Sequence, residues 1–333
     1  MKAYIRSSAC ISPQKTFPAG DLPEDIAEYT GTRLGVIESD YKQYIDPKLI
    51  RRMSSIIKRG VAAARQCLDD AGIDMPDAII TGTAFGCMED TVTFLTRIVE
   101  LNEEMLPPTA FIQSTHNTVA AQIALMLQCH GYNNTFAHKG VSFEHALLDA
   151  LMLLAEKEAN NIVVGGSEEM VDASFKVLTR LGLYRRQPVS NLELFKTEAK
   201  GTIGGEGSAF FLLSDKADGK NLAELDGVKI LYQPENMKKE IISFLDEHSL
   251  KPADIDLVIT GRNGDARNDV VYQTLNDTLF KDNALANYKH LCGEYPVSSS
   301  FALWLAVNAI KNCVVPDILF ERKTVSKVPG KIL

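Results

Sequence analysis

Cysteine and histidine are the residues of this sequence best suited to act as a nucleophile, a general base or a metal ligand. No two cysteines form a Cys-x-x-Cys pair, and no cysteine and histidine fall at the spacing typical of zinc sites. The sequence therefore predicts no metal site, no bound cofactor and six free thiols, at Cys10, Cys67, Cys87, Cys129, Cys292 and Cys313.

One cysteine and one histidine are candidates for a catalytic pair across two turns. Cys87 follows a short apolar segment, and His116 precedes a predicted helix. If the two side chains met, the imidazole could take the proton of the thiol. A cysteine in a short apolar turn is more often a packing residue. We therefore predict a structural role for Cys87 and keep the pair with His116 as a weak candidate.

An internal repeat predicts the elements that position these residues. Residues 68–90 and 245–269 both have the pattern of a helix end, a polar turn and a short apolar strand that reaches Ile-Thr-Gly. The helical segment 119–125 also matches residues 297–303. A duplicated βα unit of this length indicates an α/β protein of two halves whose strands enter parallel sheets.

Two helices and two strands of the first half can be predicted from periodicity. Residues 52–71 have apolar positions at helical spacing, and residues 146–155 are almost wholly apolar, as expected of a helix between layers. Residues 161–164 predict a buried strand that ends in a tight turn at Gly165-Gly166, and residues 208–213 predict another strand. The glycines at 204–207 precede a strand and not a helix, so a nucleotide-binding loop is a poor interpretation of them.

The composition argues against nucleic-acid and membrane partners. The chain has 333 residues, of which 45% are hydrophobic, enough for a substantial core. Its net charge is −8, and charges of both signs are interspersed, whereas nucleic-acid binding needs a concentrated positive field. The N-terminus has charges and hydroxyls where a signal peptide is apolar. We therefore predict a soluble cytoplasmic protein.

The order of short motifs resembles the β-ketoacyl synthases, the condensing enzymes of fatty acid and polyketide synthesis. The resemblance covers nearly the whole chain and is carried, in order, by Ile11-Ser12-Pro13, Thr81-Gly82-Thr83 with Gly86, residues 117–125, Gly165-Gly166-Ser167-Glu168, Gly205-Glu206-Gly207, Lys289 with Gly293, and Val315-Pro316. It implies a thiolase-like fold, a five-layered α-β-α-β-α sandwich of two duplicated halves, residues 1–214 and a shortened 215–333. It also implies that the chain forms dimers.

The chemistry of that family needs a nucleophilic cysteine at a strand-to-helix turn and two histidines that stabilise charge on the thioester oxygen. Counted from the motifs above, the resemblance places the nucleophile at Gly140, the first histidine at Gly261 and the second at Glu294. Two of these residues have no side chain, and the third has a carboxylate that would repel an enolate. The resemblance therefore implies a member without the Cys-His-His triad.

Three polar residues near these positions have possible binding roles. His138 and Lys139 could contact an acyl chain or the phosphopantetheine arm of a carrier, which would be a substrate arm and not a cofactor; a solvated turn is the favoured interpretation. Lys289, whose family counterpart supports the second histidine, could contact substrate or form an ion pair with Glu294 in a dead site.

The end of the chain also departs from the family pattern. The family closes with a glycine-rich loop and a final strand, but this sequence stops at Lys331-Ile332-Leu333, where such a strand should begin. We expect either a trimmed second half or a fragment.

We predict a non-condensing, chain-length-factor-like partner of an intact ketosynthase that acts on acyl chains bound to acyl carrier protein. The pathway class would be polyketide, aryl polyene or fatty acid biosynthesis. Two alternatives stay open. One is an active 3-oxoacyl synthase or acyltransferase with a displaced nucleophile, and the other is a homodimeric, non-enzymatic scaffold that binds acyl carrier protein.

Overall fold

The computed structural model describes residues 1–197, 199–324 and 328–333. Its strands are β1 Ala3–Ile11, β2 Thr30–Gly31, β3 Ala78–Gly82, β4 Tyr132–Phe136, β5 Asn161–Glu168, β6 Val189–Ser190, β7 Gly207–Ser214, β8 Ala223–Leu225, β9 Leu257–Thr260, β10 Ala284–Asn287 and β11 Phe320–Arg322. Its helices are α1 Pro47–Ile50, α2 Ser55–Ala71, α3 Met88–Glu100, α4 Pro108–Gln113, α5 Thr118–Leu127, α6 Ser142–Ala155, α7 Asp172–Arg180, α8 Met237–Glu247, α9 Ala266–Thr278, α10 Lys289–Cys292 and α11 Ser299–Asn312.

The larger sheet has six strands in the order β4-β3-β5-β7-β1-β8. β3 pairs in parallel with β4 and β5, but β7 is antiparallel to both β5 and β1. The sheet is therefore mixed, and the expectation of parallel sheets holds only around β3. The expected boundary at residue 214 falls at the end of β7, and β8, which follows it, joins this same sheet.

The layers alternate because each strand of this sheet buries one set of side chains on each face. On one face, α2 and α5 pack against Ile79, Val163 and Phe210. On the other face, α6 and α11 pack against Ile80, Val164 and Phe211. The predicted helix at residues 52–71 begins at Ser55, and α6 has the predicted position between layers.

The smaller sheet, in the order β11-β10-β9, covers the far side of α6 and α11. α8 and α9 cover its outer face through a core that includes Leu245, Val258 and Leu285. The order of layers is thus α-β-α-β-α, as the resemblance implied.

The repeat of the two halves is confirmed at the strands. β3 lies between the parallel strands β4 and β5, and β9 lies between β10 and Ile332, both parallel to it. The match of residues 119–125 with 297–303 is wrong, because α11 lies on the same face as α6, whereas α5 lies on the opposite face. Apolar periodicity alone does not distinguish two helices that cover different faces of a sheet.

The turn predicted at Gly165-Gly166 is also wrong, since β5 continues through both glycines to Glu168. A Cβ at Gly165 would lie 2.3 Å from the ring of Phe210 on β7. Gly165 therefore makes room for the Phe210 ring of the neighbouring strand, and the two glycines do not mark a chain reversal.

All six cysteines are free, as predicted. In the described part of the chain, no helix combines the length and the apolar character that crossing a bilayer requires.

Candidate functional site

Gly140 lies in an exposed 3₁₀ turn, Lys139–Val141, between β4 and α6. A Cβ built on Gly140 would meet only the carbonyl oxygen of Pro296, at 3.9 Å. The turn is braced by Ser142, whose Oγ accepts a bond from the His138 N–H at 2.7 Å and donates to the Lys139 carbonyl at 2.7 Å. The predicted nucleophile position thus lies at a strand-to-helix turn with room for a side chain, but it is filled by glycine.

Gly261 lies directly after β9, and there the space for a side chain is already taken. A Cβ at this position would lie 2.5 Å from the Tyr272 hydroxyl oxygen, which real Cβ contacts essentially never show. Tyr272 projects from α9, which follows β9 through a short loop. Any side chain at Gly261 would therefore require Tyr272 to move.

Glu294 is held on both carboxylate oxygens. Its Oε1 accepts a bond from the Lys289 ammonium at 2.7 Å, and its Oε2 accepts a bond from the Asn263 amide at 2.8 Å. The Lys289 ammonium also donates to the Ser298 hydroxyl. Burial lowers the pKa of Lys289, but the neighbouring Glu294 carboxylate outweighs it, so the pKa lies above its usual value. Lys289 is therefore a charged, buried cation that is committed to Glu294.

The three positions converge on one region although they come from distant parts of the sequence. Asn263, two residues after Gly261, bonds Glu294, and Gly140 faces Pro296, two residues after Glu294. The ends of β4 and β9 and the segment after α10 thus meet at a single site. Within it, the expected Lys289–Glu294 ion pair is present.

His138 and Lys139 lie at the rim of this site, and both are exposed. The His138 ring lies 4.8 Å from the His145 ring, between centroids, and the His145 ring stacks on Phe136. The backbone of Lys139 is in the left-handed region, with φ of 54°. Their exposure agrees with a solvated turn.

Cys87 and His116 lie on adjoining turns. A Cβ at Gly86, the residue before Cys87, would lie 2.9 Å from the His116 Cα. Cys87 is fully buried, and burial, together with the nearby Glu169 and Asp90 carboxylates, raises the pKa of its thiol. A buried thiol that stays protonated is a poor nucleophile, so the geometry favours the packing role.

Sequence reasoning missed Tyr272 and Asn263 as members of this site. Each lies in the segment after β9 and reaches Gly261 or Glu294 only through the fold. The Asp269 carboxylate shapes this segment by accepting bonds from the Asn263 and Gly264 N–H groups, at 2.9 and 3.0 Å. No spacing rule would have indicated these contacts.

Two buried carboxyls at the end of β5 were also missed. Glu168 accepts bonds from the Ala84 and Phe85 N–H groups, at 2.8 and 3.1 Å, and Glu169 accepts a bond from the Glu89 N–H at 2.8 Å. Burial raises the pKa of each carboxyl to about 7, because the charged form is poorly solvated there. Both therefore titrate near neutral pH.

The described residues contain no group of three or more histidine, cysteine, aspartate or glutamate side chains arranged to hold a metal ion. The site's own chemistry is that of an ion pair, an amide and two glycines.

In the described part of the chain, the larger sheet has an open edge, and the helices that precede its edge strand carry large exposed apolar residues. β4 is an edge strand of the larger sheet, with β3 on one side only. Large exposed apolar residues lie on the elements that precede β4 in the chain: Val99, Phe111, Ile112 and Leu125. We call β4 and these four residues the edge surface. Exposed strand edges and large exposed apolar residues are features of protein-protein interfaces.

Comparison with known proteins adds a family match. A sequence profile described as "Beta-ketoacyl synthase, N-terminal domain" matches residues 10–219. The 3-oxoacyl-[acyl-carrier-protein] synthase 2 of Vibrio cholerae is 23% identical over 203 residues, which cover 57% of this chain and 49% of the relative. The synthase 2 of Vibrio harveyi is 24% identical over 220 residues, which cover 61% of this chain and 53% of the relative. The chain thus spans about half the length of the curated relatives it matches.

Solved structures show the same fold at low identity. The ishigamide ketosynthase/chain length factor matches with a TM-score of 0.77 and 18% identity, covering 95% of this chain and 87% of that one. The ketosynthase ApeO in complex with its chain length factor ApeC, from Xenorhabdus doucetiae, matches with a TM-score of 0.71 and 16% identity. The match covers 92% of this chain and 83% of that one. A type II polyketide synthase ketosynthase in complex with its acyl-carrier protein matches with a TM-score of 0.68 and 16% identity. The match covers 93% of this chain and 92% of that one.

Proposed function

The chain belongs to the β-ketoacyl synthase family, and from this premise we propose that it is a non-condensing, chain-length-factor-like partner of an intact ketosynthase. The pair would act in the cytoplasm on acyl chains bound to acyl carrier protein, in polyketide, aryl polyene or fatty acid biosynthesis. The condensing chemistry would belong to the partner.

The observation that carries this proposal is the arrangement around Glu294. Its two carboxylate oxygens are occupied by Lys289 and Asn263, so the side chain is fixed where the resemblance places the second histidine. A carboxylate there opposes the negative charge that develops on a thioester oxygen during condensation. The same network supports a structural role for Lys289 over a contact with substrate, because its ammonium is bonded to Glu294 and Ser298.

The other two positions support the same conclusion. Glycine at position 140 offers no atom that could accept an acyl group, although the surrounding space would admit one. At position 261, an imidazole would overlap the Tyr272 hydroxyl. A displaced nucleophile is disfavoured at Cys87, because its thiol is buried with a raised pKa.

The edge surface is the part of the molecule that we assign to the ketosynthase partner. In the described part of the chain, no strand pairs with the outer side of β4, and a strand from another subunit could extend the sheet there. Phe111 is 56% exposed and its ring lies 5.1 Å from that of Phe94, between centroids, so it forms a pre-ordered aromatic anchor. The similarity to structures of ketosynthases with chain length factors supports this choice of partner.

Acyl carrier protein is the second partner in the proposal. Its support is the similarity to a ketosynthase whose structure was solved with its acyl-carrier protein. In the proposed pair, the carrier would deliver its chain to the cysteine of the ketosynthase, and this chain would line the space into which the product grows.

Co-expression with a triad-bearing ketosynthase from the same genome tests the proposal. We expect the two chains to co-purify at equal stoichiometry and the pair to elongate carrier-bound acyl chains, whereas this chain alone yields no product. Replacing the cysteine of the partner by alanine should abolish all product, which serves as the control. Product formation by this chain alone would refute the proposal. A stable homodimer that does not associate with the ketosynthase would favour the alternative of a non-enzymatic scaffold.

A further inference from the structure

A cavity of about 570 Å³ lies along the C-terminal half of α11. The buried part of its lining includes Leu305, Ala309 and Leu319, and the segments 22–26 and 314–318 border it. The lining includes neither the three triad positions nor the residues that contact them, and no described residue after Leu319 belongs to it. We call this cavity the α11 groove.

The exposed rim of the α11 groove is acidic. Glu24 and Asp317 line the groove and are exposed, and none of the described lining residues is a lysine or an arginine. Asp317 has Lys323 as an ion-pair partner, whereas no ion pair within the described residues includes Glu24. The segment 16–32, which supplies Glu24, has four acidic residues and no lysine or arginine. The groove therefore combines an apolar lining with negative charge.

Two polar contacts fix the acidic segment to the end of α11. The Asp21 carboxylate accepts a bond from the Lys311 ammonium at 3.1 Å and another from the Asn312 amide at 2.9 Å. Both donors lie on the last turn of α11, next to the groove. The α11 groove is therefore formed before any partner binds.

The exposed face of α7 has the opposite charge. Five residues of α7 and its C-cap follow the spacing of a single helix face, and all are exposed: Ala173, Lys176, Val177, Arg180 and Leu181. We call these five residues the α7 face. Residues 173–192 include four basic residues and no acidic one, in a chain whose net charge is −8. The α7 face thus combines aliphatic side chains with positive charge.

The opposite side of α7 packs against the body of the chain. The Phe175 ring stacks on that of the buried Tyr184, 5.4 Å away between centroids. The Asp172 carboxylate, at the start of α7, pairs with Arg33 at 2.6 Å. α7 is therefore a fixed ridge that presents the α7 face outward.

We infer that the α7 face of one copy of this chain docks in the α11 groove of a second copy. Val177 and Leu181 lie about one turn apart and would enter the groove above Ala309, whose small side chain leaves space for them. Lys176 and Arg180 would then face the acidic rim. An amphipathic helix that lies in an apolar groove is a common mode of recognition between proteins.

The two surfaces differ, so the contact is heterologous. Each copy has an α7 face and an α11 groove, and copies would join head to tail and not as a symmetric pair. Neither surface includes a residue of the edge surface. The inference therefore goes beyond the proposed function and does not rest on it, and a copy that has bound a ketosynthase could still take part.

The contact should be weak and sensitive to salt. Two large aliphatic side chains bury less area than a stable interface needs, so we expect a dissociation constant on the order of 10–100 µM. Both copies have a net negative charge, so the attraction between the acidic rim and the α7 face must act at short range. Raising the salt concentration from about 50 mM to about 500 mM should weaken binding about fivefold.

Fluorescence anisotropy of N-terminally labelled chain, titrated with unlabelled chain, tests the inference. Two double variants separate the surfaces: Glu24→Lys/Asp317→Lys reverses the charge of the groove, and Lys176→Glu/Arg180→Glu reverses that of the α7 face. We expect each variant to bind itself about tenfold more weakly than the unsubstituted chain binds itself. A mixture of the two variants should restore binding, because each keeps one native surface and the reversed face meets the reversed groove.

Asp25→Lys/Glu28→Lys is the matched control, because both residues are exposed and belong to the acidic segment but do not line the groove. It changes the net charge as the groove variant does, and it should bind as the unsubstituted chain does. Circular dichroism verifies the fold of each variant.

Association through the edge surface would appear equally in every titration, so equal binding in all of them overturns the inference. It is also overturned if the chain does not associate, if the mixture of variants fails to restore binding, or if the control variant loses as much affinity as the groove variant. None of these results bears on association with a ketosynthase, so the proposed function is tested separately.

Discussion

Glu294 and Lys289 form a charge pair whose two ends differ in exposure. The Lys289 side chain is 6% exposed and that of Glu294 is 26% exposed, so the carboxylate mainly serves to neutralise a buried ammonium. A buried charge that loses its partner costs far more than a solvated one. The pair therefore stabilises the loop after α10 in its present position.

Glu294→Gln should lower the free energy of unfolding by about 2 kcal/mol, because Lys289 would keep its charge without a counter-charge. Urea denaturation followed by circular dichroism measures the change. The matched control is Glu193→Gln, which breaks the exposed pair with Lys196, also at 2.7 Å, and should cost less than about 0.5 kcal/mol. Equal losses in the two variants would contradict the structural role of the buried pair.

Glu169 gives a prediction about pH. Its pKa in the folded chain is about 7, above its usual value of 4.5, so the folded state binds more protons than the unfolded state between these values. The contribution of this carboxyl to stability is therefore present below about pH 4.5 and is lost as the pH rises to 7. Glutamine does not ionise, so the variant Glu169→Gln does not lose stability in this way as the pH rises.

The stability of Glu169→Gln relative to the unsubstituted chain should consequently rise by about 2–3 kcal/mol from pH 5 to pH 8, at 1.36 kcal/mol per pKa unit. Denaturation curves at several pH values measure it. Glu156→Gln, at an exposed position, should show a constant difference over the same range. A flat difference for Glu169→Gln would show that its carboxyl titrates normally.

At the residue scale, the sequence predicted the site correctly where a residue could be compared with the motif pattern of the family. The positions Gly140, Gly261 and Glu294 and the Lys289–Glu294 pair followed from spacing and resemblance. Tyr272 and Asn263 did not, because a helix residue that fills space beside a strand end leaves no local pattern. The raised pKa values of Glu168 and Glu169 likewise result from burial, which spacing does not encode.

At the scale of elements, the edge surface is the part of the molecule that the proposed partner would cover. Helices cover both faces of the larger sheet, but β4 is open along one side. An uncovered strand edge is prone to pair with other chains in a free monomer, and large exposed apolar residues add to this tendency. This arrangement is consistent with a chain that functions in a pair.

Phe111→Glu should weaken association with the ketosynthase at least tenfold, since a charge would replace an aromatic anchor that the proposed partner would bury. Size-exclusion chromatography of the co-expressed chains over a dilution series measures this. Val270→Glu on α9 is the control, because Val270 is 58% exposed, close to the 56% of Phe111, but lies in the second half. If Val270→Glu dissociates the pair and Phe111→Glu does not, the interface lies elsewhere.

Element prediction succeeded for α2, α6 and β7, whose apolar patterns are long or well bounded. It failed at Gly165-Gly166, where glycine in a strand accommodates Phe210 from the neighbouring strand. It also failed in matching α5 with α11, since the face that a helix covers depends on the order of the strands. Both errors concern contacts between elements and not the elements themselves.

At the scale of the whole molecule, the five layers and the duplicated strands β3 and β9 follow from the repeat and the resemblance. The three positions that the resemblance assigns to the triad lie where the two halves meet, because the strand ends of both halves point there. The residues at these positions are two glycines and Glu294, which pairs with Lys289, and Tyr272 lies against Gly261. In the proposed pair, the ketosynthase would contact the edge surface and not this region.

The most direct test of this account is intact-protein mass spectrometry after incubation with an acyl-carrier substrate, with the ketosynthase partner as positive control. We predict that the ketosynthase gains the mass of the acyl group and that this chain gains none. A stable acyl adduct on this chain, at Cys87 or any other residue, would contradict the central claim that it does not carry out the condensation.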